Sequence, residues 1–565
     1  MAKKKSFIEP YIGFDLANGK KPFDILIGVN GNPIIGIKLT NFVLQYSADP
    51  DSYIRYHSIL NQIVMTVGEE RIVQKLDVFT KRKYIPEASD NFLKNQYSQH
   101  FANRLFKKND TYLFFTDDVN QDGNAKHKYK PTEKTYESLI DKVQKVYMIL
   151  DQEKLNPSYL KKTKYQTLYS SILTMNFGDV PSYDNIKTDD THLKIGNKFI
   201  KTISLIDKEK VEIPSEVEPY SLLGNGVVAE TAVDNFTFLN DLDEYDSLIY
   251  NQVITIPNQA LKVRYLDKKM KKHEGAASNS PANLIMANEI AEFLVEMETN
   301  GQFLVNFHGS IIMSTNSQEK MDELNSKIEN QLFLKNIIVS RNTYNQFELF
   351  RAALPGNATE LKSYDLFLTT SQAALCFFFK EKYPESEDSP IYLQFADRQG
   401  VPLKIDLCDL PMKDGRINNR NKFVLGPSGS GKSFLMNNII EQYLQYNYDI
   451  VIIDTGDSYS GTCEYKNGKY IQYTEEKPIT MNPFNVPQSE LNIEKTDFLT
   501  NLIFLIWKGA NEEMTSTQRT ILDRLINSYY HHYYFGKNKE NWFENAPIEK
   551  LLHYLRQYNV YEEQL

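Results

Sequence analysis

Eight residues late in the chain have types and spacing that suit one kind of chemistry. Gly426-Pro427-Ser428-Gly429-Ser430-Gly431-Lys432-Ser433 fits G-x-x-x-x-G-K-[ST], the phosphate-binding loop. Glycines let successive backbone N–H groups turn inward around phosphate oxygens. A helix starting just behind them adds its own unpaired N–H groups and positive dipole end. Lys432 is the candidate catalytic residue, placed to neutralise charge on the β- and γ-phosphates, and the Ser433 hydroxyl is the candidate Mg2+ ligand. ATP with Mg2+ is the expected occupant. The alternative is a plain glycine-rich turn between a strand and a helix, so the surroundings have to decide.

Those surroundings fit. Phe423-Val424-Leu425 reads as a short buried strand running into the loop. After it Leu435, Met436, Ile439, Ile440, Tyr443 and Leu444 recur on one face of a helix. Asp449-Ile450-Val451-Ile452-Ile453-Asp454 then reads as the next strand of a βαβ unit, ending in a carboxylate. An apolar run closed by Asp has the shape of a Walker B strand, so Asp454 is weighed as a second Mg2+ ligand. Its place directly after the loop helix, with Thr455-Gly456 next and no adjacent Glu, favours a structural aspartate at a strand end instead.

The totals restrict the setting. At 565 residues the chain is too long for one core and should form two to four domains. Hydrophobic residues at 41% and charged ones at 24% are ordinary for a globular protein. A formal charge of -9 supplies no overall pull toward nucleic acid. The three cysteines, Cys376, Cys408 and Cys463, are too dispersed for a disulfide framework or a zinc site. No apolar run reaches membrane-spanning length, and the lysines after Met1 have no apolar stretch behind them to make a secretory signal.

Ahead of the loop the chain alternates strands and helices. Asn30-Gly31 between two apolar runs at 23–29 and 33–39 is a hairpin signal. Helices are expected over 51–65, 91–106, 136–150, 284–297 and 321–333. Strands are expected over 72–80, 111–115, 198–206, 252–256, 303–312 and 336–340, and a polar loop over 117–130. Segments 390–395 and 402–407 read as a hairpin just before the nucleotide domain. The fold class expected is α/β plus α+β: an α+β subdomain at 1–215, a second at 216–405, and a P-loop domain with a parallel sheet at 406–565. From 491 onward the pattern is helical, with no third apolar strand. A parallel sheet needs more than two strands, so its remainder, and the Walker B acid, are expected beyond residue 565 in a chain truncated at its C-terminus.

Three segments beyond the loop narrow the reading: Val451-Ile-Ile-Asp-Thr-Gly-Asp-Ser-Tyr459, Asn482-Pro-Phe484, and Leu354-Pro355-Gly356-Asn357 with Thr369-Thr370-Ser371-Gln372-Ala373-Ala374 after it. Together with the P-loop they resemble the ATPases of conjugation and type IV secretion systems, in particular the TraG-type ATPases of conjugative transposons. The early hairpin also looks like that family's N-terminal strands. The resemblance implies a RecA-like motor domain behind a large α+β domain. It also implies a hexamer lying peripherally on the cytoplasmic face of the bacterial inner membrane, with other channel subunits as partners. ATP hydrolysis would then drive channel assembly or the transfer of a DNA–protein substrate. Two alternatives stand beside it: a nucleotide-binding scaffold of the same assembly that does not hydrolyse, and an ATP-driven DNA pump of the related hexameric class. The acidic balance and the lack of a basic, aromatic strip leave direct contact with DNA unsupported.

Other features are set aside. Tyr529-Tyr-His-His-Tyr-Tyr-Phe535 reads as an aromatic helix face, because adjacent histidines diverge on a helix. Asp241, Asp243 and Asp246 lack the glycine and glutamate of a calcium loop. Lys268, Lys269, Lys271 and Lys272 read as a solvated helix end, with contact to anionic lipid or DNA as the sharper alternative.

Overall fold

The computed structural model describes residues 7–17, 21–46, 49–119, 129–178, 183–189, 191–206, 217–224, 230–276, 280–339, 344–397, 400–476 and 482–535. They fall into two units, Met1–Leu425 with Asn438–Ile450, and Gly426–Asn437 with Val451–Leu565.

The first unit is organised on a 12-stranded sheet. From one edge its path runs Tyr11–Asp15, Ile25–Gly28, Pro33–Leu39, Leu105–Asp117, Arg71–Lys83, Ser247–Ile256, Leu304–Thr315, Lys198–Ser204, Leu193–Ile195 and Ile186–Thr188. Every pairing along it is antiparallel. Strands from either side of residue 215 therefore share one sheet. The Asn30-Gly31 hairpin pairs Leu26 with Ile34, as its turn residues predict.

Both faces of the sheet are covered. Helices Pro50–Val67, Glu133–Gln152 and Gln318–Phe333 supply Tyr56, Ile63, Val143 and Leu324 to one core. Helices Lys162–Thr174 and Gln346–Ala352 supply Leu168, Ile172 and Phe350 to the other. Hence all ten residues of Ser247–Ile256 are buried, and the usual in–out alternation is lost. Polar residues in such a strand must find partners inside. On one face Gln252 Nε2 donates to Asp77 Oδ2 at 2.7 Å, and Asp77 also pairs with the fully buried Lys75. On the other, Gln74 Nε2 donates to Asn251 Oδ1 at 2.9 Å.

Most expected helices and strands form close to their expected places, but three apolar runs do not become strands. In the described part of the expected strand 336–340, residues 336–339, Asn336 takes φ 57° and closes the preceding helix, with the Ile337 N–H returning to the Leu332 carbonyl. Ile337 is buried as a plug at the helix end, so its apolarity serves a cap and not a ladder. Phe423-Val424-Leu425 and Val451-Ile452-Ile453 form no strand, and Phe423 and Ile453 are 88% and 96% exposed. A strand needs a neighbour's N–H and C=O groups, and among the described residues neither segment has one. The buried strands and the parallel sheet expected around the P-loop are thus not formed among the described residues. The polar loop expected over 117–130 lies largely outside them.

The second unit gathers helices Ile493–Lys508 and Ser516–Phe535 around Phe484, Leu499, Phe504, Leu522 and Ile526. Tyr529 and Tyr530 are buried in the same core, in keeping with an aromatic helix face.

Candidate nucleotide-binding site

The P-loop begins in exposed, irregular chain and ends in the helix Lys432–Leu444. Two of its glycines are required by geometry. Gly429 and Gly431 have φ of 76° and 88°, in the left-handed region that side chains with a Cβ rarely enter. Gly426 has an ordinary φ, but a Cβ there would stand 2.5 Å from Ser430 Oγ. The Ser430 N–H donates to the Pro427 carbonyl at 3.2 Å, closing the turn, and the Leu435 N–H reaches the Gly431 carbonyl at 2.9 Å, starting the helix. The first helical N–H groups therefore stand at the mouth of a glycine turn, an arrangement that favours an anion.

Lys432 Nζ folds back over this turn, donating to the carbonyls of Gly426 at 2.8 Å and Pro427 at 2.9 Å. The loop thus holds its own cation on neutral acceptors, and a phosphate would be a stronger partner for that ammonium. Pro427, Ser428, Ser430 and Ser433 are exposed, so the loop is open to a ligand.

Asp454 opens a tight turn. Its Oδ1 accepts the Gly456 N–H at 3.1 Å and its Oδ2 accepts the Ser458 N–H at 2.6 Å. These bonds account for the Asp-Thr-Gly-Asp-Ser spacing by local side-chain-to-backbone bonding. Asn437, one turn into the P-loop helix, ties this turn down. Its Nδ2 donates to the Ser433 carbonyl at 3.1 Å and the Ser458 carbonyl at 3.3 Å, and its Oδ1 accepts from Thr462 Oγ1 at 2.5 Å. Sequence reasoning missed Asn437. The one available signal was an amide on the helix's polar side, one turn after the motif serine.

The other distinctive segments are architectural. Asn482 Oδ1 accepts the Phe484 N–H at 3.1 Å, setting a turn that sends Phe484 into the helical core. Tyr530 OH then donates to the Phe484 carbonyl and Tyr534 OH to the Val486 carbonyl. Leu354-Pro355-Gly356-Asn357 lies buried in the first unit, where the Gly356 N–H donates to Gln74 Oε1 at 2.8 Å and Tyr11 OH to the Pro355 carbonyl at 2.7 Å.

A glycine turn in the left-handed region and a lysine at the helix start behind it are the parts of a phosphate-binding loop. Residues 392–560 match the TraG P-loop domain. No curated protein matches the chain. The TraG P-loop match opens at the hairpin Leu393–Ala396 and Pro402–Ile405 and runs through the P-loop, the Asp454 turn and the Asn482-Pro-Phe484 segment. The match suggests an NTPase of conjugation or secretion. No described helix is long and apolar enough to cross a membrane, and no group of three or more potential metal ligands occurs among the described residues.

Proposed function

We propose that this chain is the nucleotide-driven subunit of a conjugative, type IV secretion-like apparatus, energising channel assembly or the passage of a substrate. The observation that carries the reading is the loop itself, two left-handed glycines and a self-capped Lys432 at a helix start, inside the TraG P-loop match. ATP arriving at the turn would draw Lys432 from the Gly426 and Pro427 carbonyls onto its β- and γ-phosphates. The Ser433 hydroxyl is a hard oxygen donor of the kind Mg2+ accepts beside phosphate oxygens and water, and Asp454 supplies a carboxylate nearby in sequence. A RecA-like sheet, a hexameric ring, docking to other channel subunits and a peripheral place on the cytoplasmic face of the inner membrane belong to the same proposal. DNA would be handled through partners, since the net charge is -9.

A second reading has one observation in its favour. Both oxygens of Asp454 already serve backbone N–H groups, which suits a scaffold that binds nucleotide without turning it over. Binding and turnover of ATP with Mg2+, measured on the chain and on Lys432→Ala and Asp454→Asn, separate the two. Lys432→Ala is expected to abolish binding. Lys432-dependent hydrolysis that Asp454→Asn removes assigns the motor role, and binding without hydrolysis assigns the scaffold. Unchanged nucleotide affinity in Lys432→Ala would overturn both.

A further inference from the structure

Two helices of the first unit, Gln259–Gly275 and Pro281–Thr299, carry almost no core. The first buries Leu266 and the second Ala287; every other residue of the two is half-buried or exposed. Both ends of the pair are fixed. At the base Gln259 Nε2 donates to the Leu304 carbonyl at 2.9 Å and Gln259 Oε1 accepts the Leu304 N–H at 2.8 Å, which ties the pair to the strand Leu304–Thr315. Near the tip His273 Nδ1 donates to Asn283 Oδ1 at 2.9 Å. The result is an antiparallel helical rod of about 27 Å.

A helix pair facing water should be polar on its outer sides. This one is not. Leu261, Tyr265, Leu284, Ile285, Met286 and Val295 are between 42% and 65% exposed. The two helices also differ in sign. Gln259–Gly275 carries Lys262, Arg264, Lys268, Lys269, Lys271 and Lys272 against Asp267 and Glu274. Pro281–Thr299 carries Glu289, Glu292, Glu296 and Glu298 and no cation. Among the described residues no ion pair joins the helices; Lys271 pairs with Asp267 inside its own helix at 2.7 Å. Spacing gathers the charges into stripes. Glu289, Glu292 and Glu296 recur at i, i+3 and i+7, while Leu261, Tyr265, Lys268 and Lys272 recur at i, i+4, i+7 and i+11.

We infer that this rod pairs with the rod of a second copy of the chain across a two-fold axis, as a four-helix bundle in which each basic helix lies along the other copy's acidic helix. A surface that carries both signs on separate helices, with apolar side chains beside each, is complementary to itself. An anionic membrane or a nucleic acid would instead meet the glutamates of Pro281–Thr299. Pairing unlike helices requires the axis to run along the rods, so the two tips point the same way. A face two helices wide and about 27 Å long offers about 500 Å² per copy, and two such faces reach the ~1,000 Å² that a specific contact needs. The contact uses residues of the first unit alone and does not rest on the nucleotide reading.

Exchange of charge between two full-length variants tests this. Glu289→Lys with Glu292→Lys and Glu296→Lys makes both helices basic. Lys268→Glu with Lys269→Glu and Lys272→Glu makes both acidic. In sedimentation without nucleotide at about 50 µM, where a micromolar contact is populated, the parent should run at twice the chain mass. Each variant alone should run at the chain mass, and an equimolar mixture of the two should return to twice that mass. If one variant does not fold, carbodiimide coupling of mixed unlabelled and heavy-nitrogen parent chains still decides. The carbodiimide takes up the water lost as a lysine amine and a glutamate carboxyl form an amide, and light–heavy peptide pairs joining the two helices are expected. A monomeric parent, an assembly that survives both variants, variants that stay apart when mixed, or the lack of light–heavy pairs would overturn the inference. So would a monomeric parent that binds phosphatidylserine vesicles through Lys268, Lys269 and Lys272, which would give the surface to a membrane.

Discussion

Asn437 shows how one side chain can matter to a site it does not form. Its amide joins the Ser433 carbonyl, the Ser458 carbonyl and the Thr462 hydroxyl, so the P-loop helix and the Asp454 turn are held by one residue. Losing that amide removes three hydrogen bonds at a partly exposed position, where each is worth about 1 kcal/mol or less. Asn437→Leu should therefore weaken ATP binding about fivefold, the equivalent of ~1 kcal/mol, and lower the unfolding midpoint as those three bonds are lost. Equal affinity in a fluorescent-nucleotide titration would show that the two segments hold their places without the amide. Gly429 and Gly431 act differently, through φ alone; the motif fixes Gly431, whereas Gly429 stands at one of its open positions, where only glycine meets that φ cheaply.

Among the elements, the buried Leu354-Pro355-Gly356-Asn357 turn gives the sharpest test. Gly356 has φ 67°, and a Cβ there would lie 2.2 Å from Ile34 Cγ2. The left-handed backbone alone costs a side chain about 1–2 kcal/mol, and forcing the Ile34 strand aside adds roughly 1–3 kcal/mol. Gly356→Ala should lower the chain's urea midpoint markedly without changing the nucleotide affinity of the folded fraction; a variant as stable as the parent would refute the assignment. The same contrast explains what was legible in the sequence. Helix Pro50–Val67 and the Asn30-Gly31 hairpin were legible because their periodicity and turn chemistry are local. Ser247–Ile256 was only half legible: the expected strand covered 252–256, since Ser247 and Asn251 look unlike core until Ser314 and Gln74 arrive from neighbouring strands. Phe423-Val424-Leu425 misled in the other direction, because apolarity announces a strand but cannot supply the neighbour that makes one. In the site, the glycine turn and Lys432 were readable, whereas the tether through Asn437 depends on a loop meeting a helix.

For the molecule as a whole, stability should depend on a buried acid cluster in the first unit. Glu381 accepts from Tyr53 OH, Thr237 Oγ1, Asn240 Nδ2 and the Asp234 N–H, and Asp234 in turn accepts the N–H groups of Phe236 and Lys380. Lys75 and Lys380 are the buried cations of the same interior. Burial, then the charge of Asp234, push the Glu381 carboxyl from 4.5 up to about 7, and burial raises Asp234 as well. Between those values the folded chain keeps a proton that the unfolded chain has released. Stability is therefore full below about pH 4.5, falls as pH rises, and has lost this contribution above about pH 7. Urea midpoints should decline across that window, and Glu381→Gln should flatten the decline even though it sacrifices part of the donor set. A parent profile that is level, or a slope that survives in Glu381→Gln, would place the proton elsewhere.

The far end of the P-loop helix is also held. Gln442 donates through Nε2 to the Gln394 carbonyl and accepts the Gln394 N–H on Oε1, and Tyr446 OH repeats the exchange with the backbone of Tyr392. The helix Lys432–Leu444 has 13 residues, a rod of about 20 Å, and the hairpin grips its C-terminal turns. Fraying from that end is thereby opposed, and loss of the Gln442 amide is what should let the last turn unwind first.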